Sequence, residues 1–79
     1  MYLLYILKCN DGSLYTGITD DLEHRLQMHR DGKGSKYVRS KLPVELVYQE
    51  ECGDRSTALK REMQVKQLSH HQKLQLISQ

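Results

Sequence analysis

From Tyr2 to Cys9 the chain is apolar at every position except Lys8, on both alternating faces. That is the pattern of a central strand covered on both sides. Asn10-Asp11-Gly12 follows as a turn, with Gly12 free to take the left-handed conformation. Ser13 to Ile18 then returns as a second strand. A three-residue loop with a bulge at Gly12 sets Tyr5 opposite Gly17 and Leu7 opposite Tyr15, and puts Tyr5 and Tyr15 on one face. Gly17 then leaves space opposite Tyr5. A two-residue Asp-Gly loop would instead put the two tyrosines on opposite faces.

The period changes after Thr19. Asp20 is placed as the N-cap of a first helix, with Glu23 completing a capping box, and the helix runs to about Asp31, where Gly32 and Gly34 stop it. A polar loop reaches Pro43, and Val44 to Tyr48 reads as a third strand. Gly53-Asp54 opens a second helix from about Arg55 to Leu68. Ser69, with Gln72 three residues on, caps a third through Leu74, Leu76 and Ile77. The order ββαβαα predicts an α/β (α+β) sandwich: a central three-stranded antiparallel sheet flanked by helices, in a single domain over residues 1–79.

Composition narrows the class. No apolar run approaches the ~18 residues of a membrane span, and Met1 to Leu7 lacks both the basic start and the cleavage site of a secretion signal. The expectation is a cytoplasmic protein with no membrane partner. Cys9 and Cys52 stand far apart and read as reduced structural thiols, with one disulfide as the alternative. His24, His29, His70 and His71 fit no zinc spacing. The net charge is only +2, but it is unevenly spread: residues 21–43 and 59–79 each sum to +3, while residues 44–58 sum to −3. Between Lys33 and Lys41 the chain carries Lys33, Lys36, Arg39 and Lys41, no acid, and Tyr37 among them. Such a run suits a tracked phosphate backbone or, equally, a solvated loop.

A few polar groups fall where apolar ones belong. With Leu22 and Leu26 setting the inward direction of the first helix, Arg25 and His29 lie between or beside them, one turn apart. On the second helix Ala58, Leu59, Met63, Val65 and Leu68 trace an apolar arc with Glu62 near its middle. A carboxylate there needs a partner. Lys66, one turn on, is one candidate and a bound cation is the other.

Together these residues resemble the GIY-YIG nuclease superfamily, and most of all its small stand-alone bacterial members. The first signature corresponds to Leu3-Leu4-Tyr5 and the second to Tyr15-Thr16-Gly17. A helix with Arg25 four residues before His29 follows, and then a late helix with a lone Glu62. Leu3-Leu4 stands in place of Gly-Ile and Thr16 in place of Ile, and the asparagine that many members carry after the last helix has no counterpart here. The resemblance implies an enzyme, a metal-dependent endonuclease that hydrolyses DNA phosphodiester bonds, selective for structure rather than sequence, with branched or nicked DNA as partner. Glu62 would hold one Mg²⁺ or Mn²⁺, with no organic cofactor. Arg25 would clamp the phosphate. Tyr5 or Tyr15 would orient or deprotonate the attacking water, with nearby cations lowering its pKa, and His29 would support it or shuttle a proton. Lys33, Lys36, Tyr37, Arg39 and Lys41 would hold the nucleic-acid backbone. These readings place Tyr5, Tyr15, Arg25, His29 and Glu62 on one concave surface. The competing classes are a non-catalytic nucleic-acid-binding module on the same fold and an interaction domain with no nucleic acid.

Overall fold

A computed structural model describes residues 1–79. Strand β1 (Tyr2–Lys8) is central and pairs antiparallel with β2 (Leu14–Thr19) on one side and β3 (Glu45–Gly53) on the other. Its alternation builds two cores. Leu4 and Ile6 face Cys52 and the helical residues Ala58 and Val65. Tyr5 and Leu7 face Val38, with Leu22 and Leu26 packed around them. All four strand residues are essentially inaccessible to water, as expected of a strand covered on both faces.

The hairpin turn decides the register. Cys9 N donates to Ser13 O at 2.8 Å, Gly12 N donates to Cys9 O at 2.9 Å, and Gly12 has φ +85°. Tyr5 therefore pairs with Gly17 and Leu7 with Tyr15, the three-residue-loop alternative.

Helix α1 (Leu22–Arg30) begins one residue later than the Asp20 cap predicts. Thr19 Oγ1 accepts from Asp21 N at 3.1 Å and donates to Asp21 O at 3.2 Å, fixing the chain so that Asp21 becomes the cap, its carboxylate accepting from His24 N at 3.1 Å. The polar segment holds a one-turn helix α2 (Lys36–Arg39), capped by Ser35 and pinned by the fully buried Val38. Strand β3 runs five residues past Tyr48, because the acidic continuation is neutralised in place: Arg61 grips the Glu50 carboxylate at 2.8 and 3.1 Å, and Tyr48 Oη donates to it at 2.6 Å. Helices α3 (Arg55–Lys66) and α4 (His70–Ile77) carry the predicted caps, Asp54 for α3 and the Ser69–Gln72 box for α4. The buried stripe of α3 is narrower than its apolar arc. Ala58 and Val65 are buried, while Met63 is 62% exposed. A three-stranded sheet is too narrow to cover both flanks of that helix. Both cysteines are buried free thiols, and no helix is long and apolar enough to cross a membrane.

Candidate active site

Tyr5 stands on the middle strand and projects toward α1, where its hydroxyl lies 2.8 Å from His29 Nε2. Arg25, one turn before His29 on α1, donates from Nε to the same hydroxyl at 3.5 Å. In the tautomer of a neutral imidazole that leaves Nε2 bare, the phenol donates its proton to that nitrogen. Arg25 Nη2 donates to Gly34 O at 3.3 Å, which ties the guanidinium to the segment after α1. The Tyr15 ring lies 5.4 Å from the imidazole and 6.5 Å from the Tyr5 ring.

Two glycines make this arrangement possible. A Cβ on Gly17 would lie 2.5 Å from Tyr5 Oη, and one on Gly34 would lie 2.5 Å from His29 Nδ1. The space that the hairpin register leaves opposite Tyr5 is filled by the Tyr5 ring itself. Gly34, whose role the sequence pattern did not reveal, closes the other end. The only available sign of it was a second glycine two residues after the helix-stopping Gly32.

Electrostatics set the resting state. Burial pushes the Tyr5 phenol above its ordinary value, outweighing the hydrogen bond from Arg25, which lowers it. Among the protein groups around it, desolvation of a phenolate wins over the Arg25 guanidinium, so Arg25 alone does not supply the expected lowering. Burial, reinforced by the Arg25 charge, pushes His29 below its ordinary value, so it is neutral at pH 7. His29 is wholly buried, and its Nδ1 has no hydrogen-bond partner. The bond to Tyr5 holds Arg25 firmly protonated.

Glu62 stands apart. Helix α3 packs on the opposite face of the sheet from α1. The Glu62 carboxylate, 18% exposed, is paired with Lys66 Nζ at 3.6 Å. Its charge is nevertheless felt by the Tyr5 phenol, the smallest of five influences there. The five expected residues thus form a touching group of four, with Glu62 acting across the β2 side by its field. No three His, Cys, Asp or Glu side chains converge anywhere. An ion at Glu62 would have one protein ligand, a donor set that suits a hard cation completed by water and phosphate oxygens.

The basic segment divides in two. Lys33, Lys36 and Arg39, with Gly32, Gly34 and Ser35, line an open basin of about 450 Å³ beside Arg25's anchor. Lys41 instead pairs with Asp11 in the hairpin turn and lies 4.9 Å from the Tyr37 ring centroid. Tyr37 stacks on Tyr15 at 6.0 Å, and its hydroxyl donates to Ser13 Oγ at 3.0 Å. Lys41 and Tyr37 thus brace the hairpin, while the other three cations remain open to an anion.

The GIY-YIG catalytic domain family matches residues 1–75. This chain belongs to the GIY-YIG family. A UPF0213 protein of Staphylococcus saprophyticus is 50% identical over 99% of this chain and 95% of its own length. One of Oceanobacillus iheyensis is 50% identical over 96% of this chain and 88% of its own. The solution NMR structure of a UPF0213 protein from Bacillus halodurans covers 99% of this chain at 43% identity, with a TM-score of 0.63 and 84% of that chain matched. That of a protein from E. faecalis covers 98% at 39% identity, with a TM-score of 0.67 and 82% matched. The GIY-YIG signatures fall on the paired strands β1 and β2, and that pairing brings Tyr5 and Tyr15 onto the same face as Arg25 and His29. The GIY-YIG superfamily is one of endonucleases.

Proposed function

We propose that this chain is a metal-dependent endonuclease that hydrolyses DNA phosphodiester bonds in the cytoplasm, selecting its substrate by structure rather than sequence. The observation that carries the reading is the Tyr5–His29–Arg25 group, in which a buried phenol has a neutral imidazole at 2.8 Å and a guanidinium on its oxygen. A phenol with a raised pKa is not ionised at neutral pH. Its proton leaves only as another arrives: Tyr5 Oη takes a proton from the attacking water while passing its own to His29 Nε2. Arg25 steadies the phenolic oxygen through Nε and offers its remaining N–H groups to a phosphate oxygen. A Mg²⁺ or Mn²⁺ held by Glu62 would supply charge stabilisation at the leaving side. Lys33, Lys36 and Arg39 offer backbone contacts that carry no sequence information, which favours recognition of shape.

The second reading, a nucleic-acid-binding module without turnover, is favoured by one observation: Glu62 already has a cation, Lys66. Incubation with single-stranded, duplex and branched DNA, with Mg²⁺ or Mn²⁺ and then with chelator, separates the two readings. Cleavage that the chelator stops supports the nuclease. Glu62→Gln should lower cleavage by about a hundredfold or more, as loss of a metal's charge stabilisation does, and weaken Mn²⁺ binding, while DNA binding persists. Manganese titrations of wild type and Glu62→Gln that coincide would overturn the metal assignment and leave the binding module.

A further inference from the structure

A second concave surface lies on the β2 side. Leu14, Tyr15, Thr16 and Tyr37 line a groove of about 330 Å³, closed by Lys66 from α3 and Lys73 from α4. Its wall is mostly side-chain carbon and aromatic ring, and its two charges are both positive. Tyr15 covers one face of the Tyr37 ring, and the Lys41 ammonium lies 4.9 Å from its centroid, so the groove meets the stacked pair at its edges. Thr16 also lines it, with a buried hydroxyl that has no hydrogen-bond partner. Two of its residues also belong to features already described: Tyr15 packs on His29, and Lys66 is the partner of Glu62.

We infer that this groove is a subsite for a single unpaired nucleotide of a DNA strand, lying next to the bond held at Tyr5 and Arg25. The base lies against Leu14 and the ring edges of Tyr15 and Tyr37, and its phosphate is met by Lys73 and Lys66. The inference rests on the nuclease reading for the identity of the strand. An apolar wall takes the carbon surface of an unstacked base out of water, and the cations at one rim meet its phosphate. A paired base could not enter, because its faces are already stacked within the duplex. The groove therefore confers a preference for DNA with a flap, gap or frayed end, and this is the structural feature the enzyme would select. The basin of Lys33, Lys36 and Arg39, lined by residues after α1, is a separate surface for the paired region.

The test compares a duplex bearing a short oligothymidine flap with the same duplex blunt, with binding read by fluorescence anisotropy in chelator so that cleavage does not enter. Lys73→Glu should cost the flapped duplex about tenfold in affinity and the blunt duplex less than about twofold. Titration of the wild type with thymidine 5′-monophosphate should shift the ring resonances of Tyr15 and Tyr37. Equal losses on both duplexes would overturn the subsite, since Lys73 would then be a general backbone contact. Unchanged binding of both, or nucleotide shifts confined to Gly32–Lys36 and Arg39 with the rings of Tyr15 and Tyr37 unmoved, would overturn it as well. Wild-type cleavage measured in parallel separates the two claims. A protein that cuts DNA but shows no flap effect at Lys73 loses the subsite and keeps the nuclease. One that cuts nothing but keeps the flap effect loses the nuclease and keeps the subsite.

Discussion

Gly17→Ala tests the packing that holds the buried Tyr5 phenol. The added methyl carbon would lie 2.5 Å from Tyr5 Oη, 2.7 Å from Cζ and 3.1 Å from Cε1. Carbon atoms settle at about 3.5–4.0 Å, so the ring tip has to retreat by roughly 1 Å. It has nowhere open to go, because Tyr5 is 1% exposed and His29 is 2.8 Å from its oxygen. Overpacking of this kind costs about 1–3 kcal/mol. For a domain of this size that is a fall in Tm of roughly 5–20 °C. A shift of about 1 Å at the reacting oxygen should also cost about a hundredfold in cleavage. Gly53→Ala provides the comparison. Its Cβ would meet nothing within 4 Å, but its φ of +75° strains an alanine, at about 1–2 kcal/mol, with Tyr5 untouched. Calorimetric melting and single-turnover cleavage of both variants make the measurement. The Gly17 variant should lose far more activity than the Gly53 variant at comparable loss of stability. A Gly17→Ala protein that melts within about 2 °C of the wild type and cuts normally would refute the clamping argument.

Tyr5→Phe leaves both imidazole nitrogens of His29 without a partner. It should cost about 1–3 kcal/mol in denaturant unfolding and abolish cleavage; an equally stable variant would show that the bond does not hold His29. The acid side of the stability curve follows from His29. Its folded pKa is depressed, so its contribution is fully present above the unfolded value of about 6.5 and is lost as pH falls from there through the folded value. Denaturant midpoints should therefore drop between pH 7 and pH 5.5, and His29→Gln should flatten that drop. Glu50, held below its ordinary value by Arg61 and Tyr48 against burial, which raises it, adds a further loss below about pH 4.3. Neutralising Lys33, Lys36 and Arg39 together should reduce the log–log salt slope of DNA binding by about 0.9 for each phosphate those side chains neutralise. Lys41→Ala, which breaks a pair with Asp11 instead, should leave the slope unchanged.

The sheet, and the grouping of Tyr5, Tyr15, Arg25 and His29, were legible because their signals are local. Apolar residues on both faces of β1 mark the central strand, while the Asn10-Asp11-Gly12 turn left two registers open, of which the three-residue loop pairs Tyr5 with Gly17 and puts Tyr5 and Tyr15 on one face. What the sequence hid depends on interactions between distant segments. Helix α2 is one turn long with a single buried apolar residue, Val38, so it has no periodicity to detect. Strand β3 extends through Gln49, Glu50 and Glu51 only because Arg61, eleven residues beyond Glu50, neutralises one of them. The sign of the Tyr5 pKa shift was missed for the same reason: the cations near a phenol in sequence do not reveal how dry the phenol is. The Lys41–Asp11 pair joins residues thirty apart, and no tally of charge along the chain separates it from the cations that remain free.

The Tyr5 phenol is rooted on the one strand of this sheet that has neighbours on both sides, whereas Lys33, Lys36 and Arg39 stand on a segment that belongs to no strand and is held by scattered contacts: Val38 in the core, Arg25 on Gly34 O, Tyr37 on Tyr15 and Lys41 on Asp11. These two regions should differ widely in how often they open. Amides of β1 are expected to exchange with solvent only on global unfolding, and those of residues 32–41 through frequent local opening. If this segment grips phosphate as proposed, it can reshape itself around differently bent backbones while Tyr5 and the Gly17 against it stay fixed, whereas Gly34 moves with the segment. Tolerance toward the shape of the substrate and rigidity at the reacting oxygen are assigned to different parts of a very small chain.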